Sequence, residues 1–142
     1  MSDEQGAARF SQAVPFFAVS DMERSLKFYT DGLGFEIDNK WVVDGKVNWC
    51  WLQRDDVAIM LQEFRTEGNN ARLFAWENAG EGVSVNVKCG DAKAYYEEIT
   101  AKGVEAEKPF VGNRLLTVGV NDPDGYRLSF DSPTDLPEGE CP

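Results

Sequence analysis

One strand–turn–helix pattern occurs twice in this chain, and the repetition limits its possible folds more than any other feature. Val14-Pro15-Phe16-Phe17-Ala18-Val19-Ser20-Asp21 carries apolar residues up to an aspartate able to cap a helix, and the amphipathic segment Met22–Tyr29 follows. Ser84-Val85-Asn86-Val87-Lys88-Cys89-Gly90-Asp91 leads into Ala92–Ile99 in the same way, with Asp91 seventy residues after Asp21. A strand–helix unit used twice in 142 residues predicts one domain built from two like halves sharing a groove.

Taken in order, residues 1–12 read as a flexible arm. A strand from Ala13 to Val19 precedes a helix capped by Asp21 and running to about Thr30, where Met22, Leu26 and Tyr29 form one apolar stripe. Gly32 and Gly34 end it. Phe35–Val43 and Lys46–Gln53 read as strands joined by the two-residue turn Asp44-Gly45. After Arg54-Asp55-Asp56 comes a fourth strand, Val57–Glu63, so residues 13–63 form a βαβββ module. Residues 64–81 read as a turn-rich connector. The second module, 82–131, repeats the plan: a strand to Cys89, a helix from Asp91 to about Lys102, and a short strand near Val104–Glu107. Strands Leu115–Val120 and Tyr126–Asp131 then flank the turn Asn121-Asp122-Pro123-Asp124-Gly125. Residues 132–142 read as a loose acidic tail. The predicted class is α+β: two βαβββ modules forming a curved, partly closed sheet with helices outside.

Composition narrows the function. A formal net charge of −11 argues against nucleic acid or an anionic membrane as partner, and would draw in a cation. No apolar run approaches the roughly 20 residues that cross a bilayer, and the N-terminus lacks a signal-peptide pattern. The three widely spaced cysteines predict free thiols in a cytoplasmic protein. No histidine is present, which removes the usual general base and the commonest metal ligand.

The run Val19-x-Asp21…Ser25-Leu26-x-Phe28-Tyr29…Leu33-Gly34-Phe35, the two modules and the turn Asp122-Pro123-Asp124-Gly125 together resemble the glyoxalase/bleomycin-resistance/dioxygenase superfamily, the vicinal oxygen chelate fold, over about residues 13–131. Metal-using members of that family place four ligands, usually His, Gln or Glu, at positions that fall here on Val14, Met60, Ser84 and Ser129. That set of side chains does not suit a divalent cation. The resemblance is therefore closest to the metal-free bleomycin-resistance binding proteins, through Ala13-Val14-Pro15, Phe28-Tyr29-Thr30-Asp31 and Arg54-Asp55-Asp56-Val57. It implies an acidic homodimer, without metal or cofactor and without catalytic residues, that sequesters a small planar or cationic ligand such as a bleomycin-type antibiotic. A glyoxalase-like lyase, or another small-molecule enzyme of this fold with an atypical or absent metal site, stays open as the alternative.

If the family's ligand positions face the groove, strand parity places other residues there. Phe16, Met60 and Gln62 come from the first module, and Ser84, Asn86, Lys88, Arg127 and Ser129 from the second. Cys50 and Leu52 read as core, which turns Trp49 and Trp51 toward the groove as a flat wall for stacking a ring or a cation. The same two tryptophans would also be ordinary core filling. Trp41 and Phe64 are weaker candidates, and Trp76 lies in the connector, placed to pin the linker or to cover the groove. Lys88 and Arg127 favour an anionic group on the guest, against a purely cationic one.

Overall fold

The alternating strands assemble into two sheets of like design. The computed structural model describes residues 6–64 and 79–141. In the first module β1 (Phe16–Val19), α1 (Met22–Leu26), β2 (Glu36–Val43), β3 (Lys46–Arg54) and β4 (Val57–Glu63) make a sheet of order β1-β4-β3-β2. In the second, β5 (Ser84–Lys88), α2 (Ala92–Ala101), β6 (Phe110–Gly112), β7 (Leu115–Asn121), β8 (Arg127–Pro133) and β9 (Gly139–Glu140) make a sheet of order β5-β8-β7-β6-β9. β1 runs parallel to β4 and β5 parallel to β8, while the other pairs are antiparallel. This is the α+β class, with two open sheets and few helices.

Local chemistry explains the element ends. Asp21 and Asp91 adopt extended backbone and accept from Arg24 N (3.2 Å) and Ala94 N (3.1 Å), satisfying helix donors that would otherwise lack a partner. The first residue after each cap is matched as well: Met22 N donates to Glu63 Oε2 and Ala92 N to Ser132 Oγ, each at 2.8 Å. The β2–β3 turn places Asp44 and Gly45 at φ 52° and 78°, and the β6–β7 turn places Asn113 and Arg114 at φ 51° and 63°. Two left-handed residues in succession match the twist of a tight hairpin.

The core lies between the sheets and the helices and draws on both modules. Phe17, Val19, Cys50, Leu52, Ile59 and Leu61 from the first sheet join Val87, Val118, Val120, Leu128 and Phe130 from the second, with Tyr29, Leu33 and Ile99 between. Tyrosine hydroxyls stitch the modules on this side. Tyr29 donates to Asp122 Oδ2 (2.9 Å), Tyr95 to Leu33 O (2.8 Å) and Tyr126 to Ala18 O (2.9 Å).

Several boundaries differ from the sequence expectation, each for a physical reason. β1 starts at Phe16 rather than Ala13: Pro15 has no N–H to give, although its carbonyl still accepts from Met60 N at 2.9 Å. α1 continues as a π-helical turn over Lys27–Gly32, closed by Leu33 N donating to Phe28 O at 2.9 Å. The strand expected near Val104–Glu107 is not formed. Glu107 N donates to Gly119 O there, and β6 begins at Phe110, beyond Pro109. The tail is not wholly loose, since Gly139–Glu140 pairs with Val111 and Phe110. Residues 1–5 of the arm and 65–78 of the connector, Trp76 included, lie outside the described residues.

Candidate functional site

Register assembles the first module's outer face row by row. Because Phe17, Leu61 and Cys50 point to the core, their strand neighbours point away from it. Phe16 stands beside Met60, which stands beside Trp51. Ala18, Gln62, Trp49 and Trp41 form the next row. Trp49, Trp51 and Met60 are half-buried, whereas Phe16 and Trp41 are 45% and 57% exposed. The Trp51 indole is fixed along its strand, because Nε1 donates to Gln53 Oε1 (2.9 Å) and Gln53 Nε2 donates on to Asp55 O (2.8 Å). Phe16 also packs at a tilt on Phe64, 6.4 Å between ring centres. The result is an aromatic surface whose orientation is set before any guest arrives.

The matching face of the second module is polar. Ser84 pairs with Arg127, Asn86 with Ser129 and Lys88 with Asp131. Both cations are already engaged. Arg127 grips Glu107 with two bonds, Nη1–Oε2 at 2.6 Å and Nη2–Oε1 at 2.9 Å. The pair holds the Glu107 carboxyl below, and the Arg127 guanidinium above, their ordinary ranges, chiefly through that hydrogen bonding. It lies flat across Gly119, where any Cβ would collide with Arg127 Nη2. Lys88 Nζ approaches the buried Asp131 Oδ1 to 3.3 Å without hydrogen-bond geometry. Glu107 was not found from the sequence: it sits in a segment that alternates like a strand but pairs by one bond only.

The structure therefore gathers Phe16, Trp49, Trp51, Met60 and Gln62 on one sheet face and Ser84, Asn86, Lys88, Arg127 and Ser129 on another. Among the described residues no hydrogen bond, ion pair or ring contact joins the two sets. Among the described residues, the hydrogen bonds that tie module to module lie on the helix side. The three thiols are free, Cys50 buried and Cys89 and Cys141 partly so. Burial pushes the Cys50 thiol up to about 11 and raises that of Cys89. Among the described residues no group of three His, Cys, Asp or Glu converges as a metal site would require. At the four family positions stand an isopropyl group, a thioether and two hydroxyls, which do not fit a divalent metal. Of the carboxylates next in sequence to those positions, Glu63 accepts from Met22 N and Asp131 forms an ion pair with Lys88.

Comparison with known proteins follows the same lines. The family model for the glyoxalase/bleomycin resistance protein/dioxygenase superfamily matches residues 9–130. No curated protein sequence matches. Solved structures do. TnmS3, an antibiotic binding protein from Streptomyces sp. CB03234, aligns with a TM-score of 0.67 at 18% identity, over 89% of this chain and 98% of that one. A bleomycin resistance determinant encoded on the transposon Tn5 aligns at 0.65 and 21% identity, over 89% and 100% of the two chains. A bleomycin-binding protein complexed with bleomycin aligns at 0.64 and 20% identity, over 87% and 98%. At these identities the likeness establishes the fold alone.

Proposed function

This chain belongs to the glyoxalase/bleomycin resistance protein/dioxygenase superfamily, and from that premise we propose that it binds and sequesters a small planar guest, a bleomycin-type drug foremost, without metal and without altering it. The observation that carries the reading is the aromatic row Phe16–Met60–Trp51 with Trp49 beside it, held rigid by the Trp51–Gln53–Asp55 chain of hydrogen bonds. A flat guest stacks on such a wall without first having to order it, so little of the contact energy is lost to side-chain immobilisation. The antibiotic-binding and bleomycin-binding proteins of the same fold support this guest class.

A complete groove needs a polar wall opposite the aromatic one. In this reading a second copy supplies it: the Ser84–Asn86–Lys88 and Arg127–Ser129 face of one protomer covers the tryptophan face of its partner, giving a homodimer with two grooves. The guest would then be amphipathic, stacked on one side and hydrogen-bonded on the other. The mechanism is stoichiometric, with the free drug lowered by mass action. Three unpaired thiols suit a cytoplasmic setting for this work. Because Lys88 and Arg127 are both neutralised by carboxylates, a planar neutral guest other than bleomycin is the second reading.

Titration of metal-free bleomycin against intrinsic tryptophan fluorescence tests the proposal. Saturable quenching at micromolar ligand is expected, with Trp51→Phe weakening it about tenfold, equivalent to ~1.4 kcal/mol. Absence of quenching sinks the bleomycin assignment, and unchanged affinity in a Trp49→Ala/Trp51→Ala variant sinks the groove.

A further inference from the structure

The two modules meet at two junctions that the internal repeat makes equivalent. In each, the turn before one module's last strand faces the strand-to-helix link of the other. At the first junction the β7–β8 turn fills the space beside β1. The Tyr126 ring stacks on Phe17, 4.3 Å between centroids and 10° from parallel, and its hydroxyl bonds Ala18 O. Asp124 seals the rim, accepting from Ser20 Oγ (2.6 Å) and Arg24 Nη2 (3.2 Å).

The second junction has the same walls and lacks the plug. Register aligns Val57 with Tyr126 and Val87 with Phe17, while Gly90 stands in place of Ser20 and Ala94 in place of Arg24. The β3–β4 turn is only Asp55-Asp56, too short to reach across. What remains is a cavity of about 540 Å³ between Val57 and Val87, floored by Phe35, Tyr95 and Phe130. Its volume lies within the range of small-molecule pockets. It sits on the helix side of the sheets, away from Trp49 and Trp51, and was not anticipated from the sequence.

Charge at the mouth selects the guest. Arg54 is spent on Glu98 (2.7 Å) and Leu33 O (2.9 Å), and Lys88 on Asp131. Asp55 and Asp56 remain on the rim without a salt-bridge partner among the described residues, beside Asp91. We propose that this cavity is a second binding site, for an arylalkylammonium: the ring lies between Val57 and Val87, where Tyr126 lies at the other junction, and the ammonium faces Asp55 and Asp56. Lys88 is the one lining residue that the site shares with the proposed groove.

Amide-resolved NMR of the full chain tests this with three probes of one shape: tyramine, uncharged p-cresol and anionic 4-hydroxyphenylacetate. Tyramine should shift the amides of Val57 and Val87–Asp91 saturably, bind at least fivefold tighter than p-cresol, and leave Trp49 and Trp51 unmoved. 4-Hydroxyphenylacetate should bind most weakly. Asp55→Asn/Asp56→Asn should bring tyramine down to the affinity of p-cresol. Val57→Tyr/Val87→Phe, which copies the packing of the closed junction, should abolish both without lowering the melting temperature. Equal binding of tyramine and 4-hydroxyphenylacetate, shifts confined to the tryptophan face, or no saturable shift overturns the site. So does unchanged tyramine affinity in Asp55→Asn/Asp56→Asn, a surface change that decides the matter even where the filled variant does not fold. Bleomycin quenching of tryptophan is a separate readout, so either site can fail alone.

Discussion

At the scale of single residues, the most consequential groups are those whose neighbours leave them no alternative. Gly119 is one, because only a hydrogen in place of Cβ lets Arg127 lie across β7 to reach Glu107. Gly119→Ala should therefore push the pair aside and, because the colliding atoms are the flexible ends of side chains more than a third exposed, should cost no more than Arg127→Met, less than about 1 kcal/mol in each case. Urea denaturation of the two variants checks that the two losses match. Asp122 is another. It is 5% exposed, accepts from Asp124 N, Tyr126 N and the Tyr29 hydroxyl, and has its carboxyl raised above the ordinary range by burial that outweighs those bonds. The folded protein then holds this proton to higher pH than the unfolded chain does. Its contribution to stability is full below the unfolded carboxyl pKa and declines as pH rises through the folded one. Unfolding free energies measured from pH 3 to 7 should show that decline in the wild type relative to Asp122→Asn, which has no such proton to lose. A difference that grows with pH in the wild type's favour contradicts it.

At the scale of elements, the repeated caps make a matched experiment. Asp21→Ala and Asp91→Ala each remove one side-chain acceptor from a helix start, and each should cost about 1 kcal/mol, read as similar falls in melting temperature. Much at this scale was legible in the sequence because it depends on neighbours along the chain. The two aspartate caps, the Asp44-Gly45 hairpin and the burial alternation of Trp49-Cys50-Trp51-Leu52 are local signals, and the structure shows all of them. What was not legible depends on residues far apart. The strand at Gly139–Glu140 exists only because β6 offers an edge, and the Glu107–Arg127 pair only because an irregular segment runs beside β7. The π-helical turn at Lys27–Gly32 belongs with these. Gly32 faces Val104 so closely that a Cβ would come within 2.8 Å of it, a contact between modules that no local pattern announces.

At the scale of the whole molecule, the repeat does two things at once. It supplies two faces that differ in chemistry, one aromatic and one polar, and two junctions that differ in filling, one plugged by Tyr126 and one open. Parity made the faces readable in advance, since one buried residue fixes the direction of its strand neighbours. The open junction was hidden, because it arises from turns of unequal length acting on residues about seventy positions apart. If a second copy completes the groove, sedimentation equilibrium should give twice the chain mass of 15.9 kDa at micromolar concentration. Lys88→Glu/Arg127→Glu, which turns the polar wall strongly anionic, should weaken an anionic guest and tighten a cationic one while sparing the fold; near-ultraviolet circular dichroism verifies the latter. The central claim is that the protein holds its guest without acting on it and without an ion to help. Native mass spectrometry of the metal-stripped chain with bleomycin measures this directly. The account predicts a complex at the summed masses of protein and unmodified drug, unchanged in yield when zinc, manganese or iron is restored. A complex that forms only with metal, or a drug released with altered mass, would contradict it.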